Sequence, residues 1–452
     1  MSAAAAFEGP RGWVQGLRYG LMGFPLAFVA LPLYVLWPHH MAAEWGVPLA
    51  ALGILLLLVR LVDAVVDPWV GHWVDGWGGG KNTYQKTTLR MSLLASLLLM
   101  AGFVAVFFPW SGLAGRPTAV LVWSAVALVA TYLAFSVLTV AHQAWAARLG
   151  GTASQRARVV GWREGLGLCG VVVASVLPTA AGLPALVVAL GLALAVAWWA
   201  WRGAVVPDGQ RPDPATPADA PAGRLLDFRA TWQAMRVPLA QPVFRRLLAV
   251  YVLNGMASAV PATLVLFFIQ DRLQAPAAWQ PLFLGSYFVS AALAIGLWLR
   301  AVGRWGLART WALGMGLSVA VFGWVLTLGA GDTLAFVVVC VLSGAALGAD
   351  LVLPPALLNG LIHDVGHRGR REGAYLGWWS FATKLNLALA AGLALPLLAW
   401  LGYVPGQTDA AGVQALSLAY GLLPCVLKLA AGSLLYLFFI RKDPLSCNAA
   451  NS

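Results

Sequence analysis

Residues 47–75 read VPLAALGILLLLVRLVDAVVDPWVGHWVD, an apolar run interrupted by Arg60, Asp63 and Asp67. It exceeds the roughly 20 residues that a helix needs to cross a ~30 Å hydrocarbon core. Its continuous Leu/Val/Ala character excludes a membrane β-barrel, whose strands are short and alternate in polarity. The three charges stand at i, i+3 and i+7, so at 3.6 residues per turn they share one helix face. An ionisable group inside a membrane span costs at least ~2.5–3.5 kcal/mol, which makes each of the three a functional suspect.

Working outward, eleven more runs of this kind lie near 15–37, 88–109, 117–145, 158–181, 184–206, 244–270, 278–302, 308–329, 333–361, 371–401 and 413–440. The reading is an all-α membrane protein with twelve transmembrane helices in two six-helix bundles. Composition agrees: of 452 residues, 60% are hydrophobic and 10% charged. A soluble chain could not bury that much apolar surface and keep a wettable exterior. The numbers exclude a disordered chain, a disulfide scaffold and a nucleic-acid-binding domain. The opening MSAAAAFEGP has no basic stretch followed directly by a short apolar core, so no cleaved signal peptide is expected. The four cysteines share no short spacing and form no metal or redox motif.

The 29 Lys+Arg against 17 Asp+Glu give a net charge of +12, and the excess lies in alternate loops. Arg11 and Arg18, Lys81 and Lys86, Arg156 and Arg158, Arg300 and Arg304, and Arg368 and Arg370 mark one side; the opposite loops hold only Arg116 and Arg272. The positive-inside rule then places both termini in the cytoplasm of an inner-membrane protein. Between the halves, PDGQRPDPATPADAPAG (207–223) reads as a linker without a fold. Leu225, Phe228, Trp232 and Met235 follow at helical spacing among arginines, which suggests an amphipathic helix on the inner membrane surface. The domains are therefore an N-terminal bundle (1–206), a cytoplasmic linker with an amphipathic helix (207–243), a C-terminal bundle (244–442) and a tail (443–452). This is the organisation of a two-bundle transporter, with substrate bound near the midplane.

Two carboxylates one turn apart repel each other, so Asp63 and Asp67 suit reversible binding of H⁺ or Na⁺. The alternative is a static network that ties helices together. Lys384 lies near the middle of span eleven, where it needs a carboxylate partner; a bridge to Asp63 or Asp67 would make a latch between halves. With Arg60 and Asp75, Lys384 forms the expected gating network. His142 and Trp145 end span four, while Arg163 and Glu164 open span five as a substrate clamp or an ordinary ion pair. Asp350 precedes Pro354-Pro355, which are expected to break span ten. Lys428 in span twelve is assigned no role; a lipid headgroup and Asp350 are the two partners its position offers.

The run Arg60-Leu-Val-Asp63-Ala-Val-Val-Asp67-Pro68-Trp-Val-Gly71 resembles the R-x-x-D-x-x-x-D-P-x-x-G signature of the glycoside–pentoside–hexuronide:cation symporters, a melibiose permease-like branch of the major facilitator superfamily. Glu372, Tyr375, Ser380 and Lys384, followed by LGYVPG (401–406), agree with that family, as do Tyr19-Gly20, Trp145 and Arg163. The resemblance implies the major facilitator fold, with Asp63 and Asp67 as cation-site carboxylates. It places Trp145, Arg163, Ser380 and Lys384 in the substrate cavity, to which position adds His142, Glu164 and Asp350. The chain departs from the sodium-using sugar permeases at Val66, where they carry Asn, and at Ala27 and Ala141, where they carry sugar-gripping acids. The span-two motif and Lys384 are also similar to those of the animal sodium-dependent lysophosphatidylcholine symporters.

The expected function is cation-coupled symport of a sugar- or glycoside-like solute by alternating access. The alternatives are transport of a lysolipid or other amphiphile, or drug/proton antiport. No nucleophile–base pair, metal cluster or nucleotide-binding signature points to an enzyme. No cofactor is expected. The coupling ion is H⁺ rather than Na⁺, because the carboxylate pair offers few hard oxygen ligands. The expected partners are a small-molecule substrate and the lipid bilayer, with no nucleic acid, and the chain is read as a monomer.

Overall fold

The structure is a computed structural model that describes residues 3–77, 80–207, 228–403 and 410–441. Most of the expected linker (208–227), residues 404–406 of the LGYVPG block and the tail from 442 onward lie outside the described residues. Among the described residues the protein is helical throughout, without a strand. Nine helices among them are long and apolar enough to cross a membrane. One of these, Gln280–Val325, is two spans joined at Gly306, where φ 75° and ψ 173° suit glycine alone. Together with Leu49–Asp75 and Glu372–Trp400, which are not among those nine, the long helices are α1 (Gly12–Leu31), α2 (Leu49–Asp75), α3 (Lys81–Phe107), α4 (Pro117–Leu149), α5 (Ala153–Pro178), α6 (Ala180–Arg202), α7 (Pro242–Arg272), α8 (280–305), α9 (307–325), α10 (Thr333–Asp364), α11 (Glu372–Trp400) and α12 (Ala411–Ile440). The amphipathic segment is helical over Phe228–Ala240.

Burial on α2 explains how such a sequence is solvated. Leu57 and Leu61 are 64% and 61% exposed, whereas Asp63 and Asp67 are 9% and 0% exposed. That inverts the pattern of a water-soluble helix, and it suits a helix whose outer face meets lipid tails.

The chain divides into two compact units. The first comprises Met1–Pro238 with Asn359–Phe381, and the second Leu239–Leu358 with Ala382–Ser452. The first unit thus takes in the end of α10 and the start of α11, a stretch assigned on sequence to the C-terminal bundle. Within this unit α1 and α5 meet backbone to backbone: a Cβ on Gly23 would stand 2.2 Å from the Arg163 carbonyl oxygen. Small residues permit such contact between membrane helices, where lipid gives no hydrophobic drive to associate.

One sequence expectation fails. α10 runs unbroken over 32 residues with Pro354 and Pro355 inside it. A proline frees a carbonyl one turn back, and within a helix bundle neighbouring groups take up the freed backbone, so the helix continues.

Candidate functional site

Both α2 carboxylates are held by serine hydroxyls from other helices of the first unit. Ser136 on α4 donates to Asp63 Oδ1 at 2.9 Å, and Ser380 on α11 donates to Asp67 Oδ2 at 2.5 Å. Ser380 therefore meets one of the two expected cation-site residues. Ser136 was not among the residues expected from the sequence, where it is one of several hydroxyls on α4, with Thr131, Tyr132 and Thr139. Arg60, on the same helix, is half-buried.

Around α5, Arg163 Nη1 pairs with Glu164 Oε1 at 3.1 Å. The Gln143 carboxamide oxygen, turned toward the guanidinium, accepts from both terminal nitrogens at 2.8 and 3.0 Å. His142 and Trp145, expected to face substrate, are instead sealed inside the first unit at 0% exposure. The His142 ring stacks on Tyr19 with centroids 4.1 Å apart, and its Nε2 lies 2.8 Å from the Tyr19 carbonyl oxygen. A carbonyl can only accept, so Nε2 carries the proton. Tyr19 returns the contact, its hydroxyl donating to the His142 carbonyl at 3.1 Å. Trp145 donates from Nε1 to the Val205 carbonyl at 3.0 Å and meets the Trp201 ring edge-on.

At the end of α2 lies a second charged cluster. The Asp75 carboxylate accepts from the Gly373 N–H at 2.6 Å and the Ala374 N–H at 2.8 Å. These are first-turn amides of α11 with no intrahelical partner, so Asp75 caps α11 from another helix. α2 comes close enough to do this because Gly71 faces Gly373; a Cβ on either would stand 2.0 Å from the other's carbonyl oxygen. Arg148, at the end of α4, pairs through Nε with Glu372 Oε2 at 3.2 Å and approaches Asp75 with Nη2 at 3.7 Å. Its guanidinium lies 4.1 Å over the Tyr84 ring. Arg368 donates to the Arg148 carbonyl at 2.8 and 3.1 Å. Of the expected gating residues, Asp75 thus has its structural partners in Arg148 and the α11 amides.

In the second unit Lys384 is half-buried on α11. Asp350 is fully engaged: Lys428 Nζ and the Ser258 hydroxyl both meet Oδ2, and the Trp311 indole N–H donates to Oδ1 at 2.9 Å. Lys428, the lysine without a role, also donates to Asn254 Oδ1 at 2.9 Å.

A family model described as MFS/sugar transport protein matches residues 16–442. The chain belongs to this family. Among solved structures, this MFS chain is similar to a crystal structure titled as a bacterial homologue of the iron transporter ferroportin in outward-facing state. The TM-score is 0.69 at 18% identity, covering 94% of this chain and 98% of that one. The same homologue with soaked iron gives a TM-score of 0.66 at 17% identity and the same coverage. At that identity the likeness shows the fold. No curated protein matches. The protein is thus a multi-pass membrane transporter with the major facilitator fold, a family that moves small molecules.

Proposed function

We propose that this transporter is a cation-coupled symporter of the glycoside–pentoside–hexuronide type. It sits in the inner membrane with both termini in the cytoplasm and carries a sugar- or glycoside-like solute by alternating access. The observation that carries the reading is the α2 pair: Asp63 and Asp67 are buried on one helix face, each accepting a serine hydroxyl from a different helix. Two carboxylates so close do not ionise together at low cost, so the site gains by taking up a cation. Two carboxylates and two hydroxyls suit a proton, which needs one carboxylate, better than a metal that needs several hard oxygens.

Arg163, Glu164, Ser380 and Lys384 are the polar groups assigned to substrate and to the gate. His142, Trp145 and Asp350 are withdrawn from that set, because each is already closed in by its own neighbours. An amphiphile is the second reading, favoured by Ala27 and Ala141 at the positions where sugar-binding relatives carry acids. The test is uptake into proteoliposomes under an imposed pH gradient at fixed low Na⁺, with sugars, glycosides and lysolipids as probes. Uphill uptake that alkalinises the exterior is expected, and Asp63→Asn or Asp67→Asn should abolish accumulation while each variant still folds and inserts. Accumulation by both variants at the native level would refute the coupling assignment.

A further inference from the structure

With His142 and Trp145 sealed away, that part of α4 keeps one residue within reach of a solute. From Val140 to Leu149 every residue is buried except Gln143. Its carboxamide oxygen accepts from Arg163 Nη2 at 2.8 Å and from Nη1 at 3.0 Å. Only the oxygen can face two N–H donors, so the amide N–H₂ turns away from the guanidinium. Arg163 Nη1 also pairs with Glu164 Oε1 at 3.1 Å, and these two side chains keep 16% and 18% exposure. α1 backs the arginine: a Cβ on Gly23 would stand 3.2 Å from Arg163 Cγ. One cation, one anion and one amide meet here, and their charges sum to zero.

We propose that Gln143 is a substrate-positioning residue, and that the Gln143–Arg163–Glu164 cluster selects an uncharged, hydroxyl-bearing solute over an anionic one. The inference rests on the assignment of Arg163 and Glu164 to substrate made above. A hydroxyl both donates and accepts, so it can bond guanidinium and carboxylate together without adding charge. An incoming carboxylate meets a guanidinium that Glu164 already matches. Two anions then share one cation in a largely buried place, which is costly. A carboxamide at 143 supplies the carbonyl geometry of a second carboxylate without its charge. Arg163 is thus held from two sides while the sum stays at zero. All three residues belong to the first unit, so the rest of the site is the same in every variant of the cluster.

The experiment is binding without any gradient. Full-length native protein, Glu164→Gln, Gln143→Glu and Gln143→Leu are each titrated by thermal shift with methyl glucoside and methyl galactoside, with glucuronate and galacturonate, and with glucosamine and galactosamine. The native chain should bind a neutral glycoside best. Glu164→Gln leaves the cluster at +1 and should shift preference toward the uronate by roughly 10–100-fold. Gln143→Glu leaves it at −1 and should shift preference toward the amino sugar by a similar factor. It keeps Arg163 paired with Glu164, so it tests the charge rule even if Glu164→Gln fails to fold. Gln143→Leu should weaken the neutral glycoside roughly tenfold and keep the native order of preference. A native chain that binds a uronate best, or binds neither neutral glycoside, would overturn the proposal. So would charge variants that keep the native order, or a Gln143→Leu variant that binds like native. Accumulation by both Asp63→Asn and Asp67→Asn would refute the symport reading and leave this selection standing.

Discussion

Arg148→Met tests how firmly the start of α11 is held in the first unit. The arginine side chain is 6% exposed, and Glu372 beneath it is 0% exposed. Removing the guanidinium takes away the 3.2 Å pair with Glu372, the 3.7 Å approach to Asp75 and the contact with the Tyr84 ring. Glu372 then keeps its bond from the Gly369 N–H and loses its cation. Leaving a buried charge without its partner costs about 3–5 kcal/mol, and the lost cation–π contact adds ~0.5–2 kcal/mol. The Arg148 carbonyl still accepts from Arg368, so the segment is weakened and not freed. At about 2 °C per kcal/mol for a chain of this size, the melting midpoint should fall by roughly 7–14 °C. The assay is intrinsic tryptophan fluorescence in detergent. Adding Glu372→Gln should recover at least half of the loss, because the stranded charge is gone. A single variant that melts with the native protein, or a double variant whose losses simply add, would refute the reasoning.

A further prediction concerns the carboxylates. Ser380→Ala should weaken gradient-driven uptake without abolishing it, since Asp67 keeps its charge and loses one donor; uptake equal to native would remove Ser380 from the site.

The α2 motif was legible because charges in an apolar run announce themselves by cost, and helical periodicity put Asp63 and Asp67 on one face. Periodicity says which residues share a face and is silent on what that face meets. Trp145 was placed in the cavity by resemblance and His142 by its position, although α1 and the chain beyond α6 cover them. The Arg148–Glu372 pair joins residues 224 positions apart and depends on Gly71 and Gly373 letting two backbones close. Nothing local encodes that approach. Pro354 and Pro355 misled for a related reason: their propensity is a property of an isolated helix, and α10 is not isolated.

The first unit's reliance on residues 359–381 sets a timetable for its manufacture. When the ribosome has delivered residue 238, α1 to α6 are complete, yet Asp75 has no amides to cap and Arg148 has no Glu372. More than a hundred residues of the second unit must be made before those partners arrive. A half-built chain therefore waits with Asp75 and Arg148 holding only each other, and closing the cluster is a late event of synthesis. Nascent-chain truncations ending before and after Glu372 would carry different protease sensitivities at the end of α4.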